Sequence, residues 1–160
     1  VPATLRSAQP AFSSSPAADP RSSTGSATAR TAVDDAVEVI CPATAEQLPV
    51  LRAIATSIAL RADADLDRVA DLRLAVDEAC TALVRAAGPG EPLHCRFTSH
   101  PDAVELEVAV WSEYPATPED EIGALLLASL TDRLATEIQS LDDGYELRSS
   151  LLVSVRRERS

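Results

Sequence analysis

The sequence predicts an α+β fold: a two-layer α/β sandwich in which a mostly antiparallel sheet is covered by three helices. Three observations predict it. Apolar residues recur at helical spacing in three stretches. They alternate at period two in several shorter runs. The order of these runs is β-α-α-β-β-α-β-β with hairpin breaks between consecutive strands, so the helices can share one face of a sheet.

Residues 1–34 are rich in Ser, Ala and Pro and show no apolar period. Such a segment buries too little surface to offset its ordering entropy, so a disordered tail is expected. The domain is expected over 35–156, with a basic end at 157–160.

Val37-Glu38-Val39-Ile40-Cys41 reads as the first strand. Thr44 can cap a helix with Glu46 in its first turn, and Leu48, Leu51, Ile54, Ala55 and Ile58 then share a face. Pro49 sits awkwardly inside such a helix, so a start near Leu48 is expected, which puts the proline where it is tolerated. A second helix is predicted from about Asp65 to Ala87. Its core stripe is Leu66, Val69, Leu72, Val76, Ala79 and Leu83, and Gly88-Pro89-Gly90 stops it.

Two strands follow. Leu93, Cys95 and Phe97 alternate with His94, Arg96 and Thr98; Val104, Leu106, Val108 and Val110 alternate with Glu105 and Glu107. The break His100-Pro101-Asp102 joins them as a hairpin. A third helix is predicted from about Pro118 to Thr136, burying Ile122, Leu125, Leu126, Ser129 and Leu130. Short strands at 137–140 and 145–155, joined by Asp142-Asp143-Gly144, complete the order.

Only 3% of residues are aromatic, so the core must be built from Leu, Val, Ile and Ala. The net charge is −11, and residues 34–160 carry 24 acids against 11 arginines. Such a surface repels phosphate backbones and argues against nucleic acid as the main partner; it suits solvation or a basic protein partner. Cys41, Cys80 and Cys95 are odd in number, lack a CxxC spacing and fall on apolar phases. They read as buried free thiols of a reducing compartment. No run approaches the roughly 18 apolar residues of a membrane span, and no apolar stretch follows a basic start, so no membrane association and a cytoplasmic location are expected.

The chemistry-bearing candidate lies in Leu72-Arg73-Leu74-Ala75-Val76-Asp77-Glu78-Ala79-Cys80-Thr81-Ala82-Leu83. Glu78 lies off the core stripe and could serve as a general base near a bound phosphate. A phosphoryl-transfer site also needs a metal ligand, and one helical turn away is the natural place. Taken without context, Asp77 would pair with Arg73 at i,i−4 and Glu78 would be a solvated face residue. His94 and His100 lack ligand spacing and read as strand-surface and turn residues. No Gly-x-Ser-x-Gly surrounds any serine.

The string from Arg73 to Thr81 resembles the first sequence box of the GHKL superfamily, the histidine kinase-like ATPases of the Bergerat fold. More narrowly, the chain from about 35 to 155 resembles anti-sigma factor serine/threonine kinases of the RsbW/UsfX type. The resemblance implies Glu78 as catalytic base, ATP and Mg²⁺ as cofactors, and a homodimer. It implies a sigma factor and an anti-anti-sigma factor with a STAS domain as partners, with Arg52 as the arginine that contacts them.

The departures bear on chemistry. The family's magnesium-binding asparagine, four residues after the acid, is Ala82 here, so no metal ligand is expected. Its Asp-x-Gly-x-Gly box is replaced by Val110-Trp111-Ser112-Glu113-Tyr114-Pro115, and its long lid by barely a dozen residues. Of the glycines that let backbone N–H groups cradle phosphate, Gly123 alone remains, as a phosphate-loop remnant. The reading that follows is an anti-sigma factor that sequesters an alternative, stress-response-type sigma factor, with a degenerate nucleotide site and weak or absent kinase activity. An active kinase phosphorylating the anti-anti-sigma factor is the alternative, and an unrelated binding module on the same sandwich is a third.

Overall fold

The computed structural model describes residues 35–115 and 120–156, so the expected amino-terminal tail and the basic end at 157–160 lie outside the described residues. The elements are β1 (Ala36–Pro42), a 3-10 turn (Ala45–Gln47), α1 (Leu48–Arg61), α2 (Leu66–Ala86), β2 (Pro92–Ser99), β3 (Ala103–Ser112), α3 (Glu121–Leu130), β4 (Arg133–Leu141) and β5 (Gly144–Ser154). The five strands form one sheet in the order β1-β2-β3-β5-β4, and every neighbouring pair is antiparallel. The three helices cover one face, with α2 packed between α1 and α3.

Period two decides which face each strand residue takes. Leu93, Cys95 and Phe97 of β2, Val104, Leu106, Val108 and Val110 of β3, and Leu147, Leu151 and Val153 of β5 are buried under the helices. The opposite face is polar. There Glu38 of β1 pairs with Arg96 of β2, which lies opposite Glu107 of β3. On β5 the Arg148 guanidinium donates to Glu146 at 2.7 Å. Burial pushes the Glu107 carboxyl above its ordinary value, against the pull of Arg148 and Arg96.

α1 starts at Leu48 after the 3-10 turn, with Pro49 in its first turn, where the ring costs no hydrogen bond. It buries Leu51, Ala55, Ile58 and Ala59. α2 starts at Asp65, whose carboxylate accepts the Arg68 N–H at 2.9 Å. It buries eight of its 21 residues, among them Val69, Leu72, Val76, Ala79 and Leu83. Leu66 departs from the expected stripe: in the first turn of α2 it is 80% exposed.

α3 corrects the sequence reading in length and in phase. It ends at Leu130, because Thr131 adopts extended backbone and turns its hydroxyl to the Leu127 carbonyl. β4 then begins at Arg133, opposite Leu152, so residues 133–136 are strand rather than helix. The buried residues of α3 are Gly123 and Leu127, with Leu126 and Leu130 partly covered. Ile122, Leu125 and Ser129, expected inside, face solvent. In a helix that is apolar on every side, periodicity cannot tell which side docks.

The thiols behave as expected of core residues. Cys80 and Cys95 are buried and Cys41 is half-buried, all three reduced. A hydrogen bond with Cys95, then burial, pushes the Cys80 thiol well up; burial and the neighbouring Cys95 push Cys41 up.

Candidate functional site

Asp77 and Glu78 are adjacent in α2 and therefore point about 100° apart around its axis. Asp77 faces α1, where its Oδ1 lies 3.3 Å from the Arg52 guanidinium. The expected pair with Arg73 is not the one made: Asp77 reaches across to the neighbouring helix instead of along its own. The Asp77 Oδ1 atom is shielded from water and accepts no hydrogen bond, so the contact with Arg52 is one of charge without alignment. Both side chains are about one-third exposed, which keeps Arg52 within reach of a partner.

Glu78 faces the other way, toward α3. A β-carbon placed on Gly123 would collide with the Glu78 carboxylate and would lie 3.2 Å from Asp120 Oδ1. Two residues singled out from sequence, 45 positions apart, thus meet at the first turn of α3. With the Glu78 carboxylate placed as it is, a larger residue at 123 would oblige that side chain to turn aside.

The first turn of α3 is closed by its own aspartate. Asp120 Oδ1 accepts the Gly123 N–H at 2.7 Å, and the Asp120 carbonyl accepts the Ala124 N–H at 2.9 Å. A phosphate cradle needs such N–H groups free and approachable. One turn along α2 from Glu78, Ala82 is buried and offers only a methyl group where a metal would need oxygen. Ser112, at the end of β3, is buried, and its hydroxyl accepts the Tyr114 N–H at 3.2 Å. No group of three or more His, Cys, Asp or Glu residues among the described residues could hold a metal ion.

Trp111 occupies the opposite face of β3 at the same end. Its indole lies so close to Gly88, just after α2, and to Gly144, at the β4–β5 turn, that a β-carbon on either would overlap the ring. The Gly88 N–H donates to the Trp111 carbonyl at 2.9 Å, fixing the exit of α2 to the strand. A cavity of about 400 Å³ opens near the β2–β3 turn, lined by Arg61, Asp35, Asp63, His100 and Arg156 among others. Glu78, Gly123 and Arg52 are not part of it.

Asp120 and Trp111 were missed as site-shaping residues by sequence reasoning. The signal for Asp120 was present: an aspartate before an apolar run, three residues ahead of the glycine whose N–H it takes. Starting the helix at Pro118 concealed it. For Trp111 the sequence carried only the alternation of β3, which gives its face but not the glycines around it. His100 lies at the β2–β3 turn as expected, but His94, expected at the strand surface, is buried. His94 is a buried sheet residue whose imidazole burial holds below its ordinary value, and His100 lies 3.0 Å from Glu105.

Residues 41–150 match the family model of the histidine kinase-like ATPase domain. The chain belongs to this family. The histidine kinase-like ATPase fold accounts for the antiparallel sheet with helices on one face. Two curated relatives, the anti-sigma-F factor RsbW of two Mycobacterium tuberculosis strains, CDC 1551/Oshkosh and H37Rv, are each 36% identical over 112 residues. That match covers 69% of this chain and 64% of the relative, so the chain spans a little under two thirds of the proteins it matches. The chain is thus similar to RsbW-type members of the histidine kinase-like ATPase family. Among solved structures, the RsbU and RsbW domains of a Mycobacterium tuberculosis protein superpose with a TM-score of 0.54 at 15% identity, covering 78% of this chain and 34% of that one. The SiaB–SiaC complex of Pseudomonas aeruginosa gives a TM-score of 0.54 at 12% identity, covering 74% and 89%. At those identities the superpositions speak to fold alone. No helix among the described residues is long and apolar enough to cross a membrane.

Proposed function

We propose that this domain is a cytoplasmic anti-sigma factor that sequesters an alternative, stress-response-type sigma factor and is released by an anti-anti-sigma partner with a STAS fold. The observation that carries this reading is the 36% identity over 112 residues to anti-sigma-F factor RsbW. The geometry around Arg52 supports it: a guanidinium about one-third exposed, beside Asp77 on the neighbouring helix, is suited to meet an acidic group on a partner. The acidic surface is compatible with protein partners and unsuited to direct nucleic-acid binding. A homodimer built partly on α1 belongs to the same reading.

In this reading the nucleotide site is degenerate. Ala82 supplies no oxygen to Mg²⁺, Asp120 takes an N–H that a phosphate would need, and Gly123 is shadowed by Glu78. No metal or nucleotide is assigned to these residues. The second reading, an ATP-dependent serine/threonine kinase acting on the anti-anti-sigma factor, is favoured by one observation: Glu78 stands beside Gly123, where a general base would stand beside a phosphate loop.

Co-purification of the full chain with each sigma factor of its host tests the first reading. Capture of one of them, weakened about tenfold by Arg52→Ala and less by Asp77→Asn, is the expected outcome. Failure to bind any sigma factor would refute it. Thermal shift with ATP-Mg²⁺ separates the two readings, since a ligand at about 100-fold over its Kd adds roughly 2.7 kcal/mol of stability. No shift is expected. Transfer of labelled phosphate to the antagonist, abolished by Glu78→Gln, would establish the kinase reading instead.

A further inference from the structure

The outward side of α3 is apolar where it meets water. Ile122 is 78% exposed and Leu125, one turn later on the same side, is 69% exposed. No charged residue occurs from Ile122 to Thr131, so the water-facing side of this helix is apolar as well as its docked side. A surface helix ordinarily turns charged residues outward. On the α2 flank, Leu74 is 44% exposed one turn before Glu78, the residue that packs against Gly123. Leu74, Ile122 and Leu125 are thus apolar side chains left exposed on the α2–α3 pair, and exposed apolar surface of this kind marks a contact surface.

Charge identifies what covers it. Between Ser112 and Asp132 the chain carries four acidic residues and no arginine. Exposed Asp120 and Glu121 stand at the amino-terminal end of the patch, with Glu78 beside them. A second copy of this chain brought face to face would set acid against acid, and an anionic lipid surface would meet the same repulsion. An amphipathic protein helix with an apolar ridge and flanking Arg or Lys satisfies both the apolar strip and its acidic end.

We propose that the outward face of α3, with Leu74 of α2, is a docking surface for a cationic amphipathic helix of a partner protein. The surface lies on the far side of α2 from Arg52 and α1, so it is independent of the sigma-factor reading. A partner could use this surface whether or not a sigma factor is captured.

Fluorescence anisotropy tests it, with the full chain titrated into a labelled synthetic helix carrying Leu at i, i+3, i+4 and i+7 and Arg and Lys on its flanks. Leu125→Glu and Ile122→Glu are each expected to weaken binding about tenfold, even though each adds an attractive charge for the cationic probe. Val50→Glu on α1, which adds the same charge to a residue 50% exposed, should leave binding unchanged. Leu125→Gln should lose binding without any change of charge. The altered residues are solvent-facing, so thermal midpoints should stay near that of the parent, which separates lost contact from lost fold. Equal binding by the Leu125→Glu and Val50→Glu variants would overturn the proposal, as would equal binding of a probe flanked by Glu. A dimer in sedimentation equilibrium that Leu125→Glu alone dissociates would make a second copy the occupant. Binding to phosphatidylglycerol vesicles that Leu125→Glu alone removes would make it a membrane. Either result overturns the proposal too.

Discussion

α2 and α3 begin in the same way and end up in different situations. Each is started by an aspartate whose carboxylate accepts the N–H three residues on, Asp65 with Arg68 and Asp120 with Gly123. α2 is 21 residues long and has one apolar stripe, which the sheet and α1 absorb. α3 is ten residues long and nearly all apolar, yet it buries only Gly123 and Leu127. A stripe bounded by charge has one way to dock; a helix apolar all round has several, and packing alone chooses. In α3 the choice falls on the side with a glycine, because Gly123 lets the helix approach the Glu78 carboxylate.

The contrast predicts unequal costs for equal deletions. Leu83→Ala in α2, at a fully buried position, should lower the unfolding free energy by about 3 kcal/mol, while Leu125→Ala in α3 should change it by less than about 0.5 kcal/mol. Urea denaturation of both variants measures this. A loss above about 2 kcal/mol for Leu125→Ala would mean that its side is covered after all.

The exit of α2 gives the next largest effect. Gly88→Ala forces the Trp111 ring to move and should cost about 1–3 kcal/mol. If the ring is the obstacle, the same change made in a Trp111→Ala background should cost much less, a coupling that a double-mutant cycle reads directly.

The helix starts come third. Asp65→Ala and Asp120→Ala each remove one cap bond worth about 1 kcal/mol. In α2 the loss should appear in the global unfolding transition. In α3 it should appear as faster amide hydrogen exchange confined to that helix, since few core contacts hold it. Equal global destabilisation by both would abolish the distinction between the two helices.

The smallest effect concerns the sheet beneath both. Burial depresses the His94 imidazole from its ordinary 6.5, with Glu146 and Glu38 pulling the other way. The unfolded chain therefore takes up the proton first as pH falls, so stability is fully present above about 6.5 and is lost as pH drops through the window down to the folded value. His94→Gln should flatten the thermal midpoint against pH between 7 and about 5.5. Glu107 works with the opposite sign: its raised carboxyl contributes stability at low pH that is lost as pH rises above 4.5.

Much of this was legible in the residues. Strand alternation gave the faces of β2 and β3, and the displacement of α1 to Leu48 was readable from Pro49. Glu78 and Gly123 were each singled out by a family resemblance, not by periodicity, and their meeting came only with the structure. Three features were not legible. Arg52 and Asp77 pair across helices, which depends on how α1 crosses α2. The outward phase of α3 depends on the packing of Gly123 and Leu127 against the domain. The start of β4 at Arg133 depends on β5 offering Leu152 as its partner, a contact that no local propensity encodes.

Trp111, the chain's one tryptophan, sits where the end of α2, the last residues of β3 and the β4–β5 turn converge. The protein thereby carries a built-in optical gauge. Its near-ultraviolet emission comes from a single place, so any event that loosens that junction changes one signal with one origin. A partner's arrival can then be timed in unlabelled protein, with the colour of one indole reporting whether the far end of the sheet stays closed.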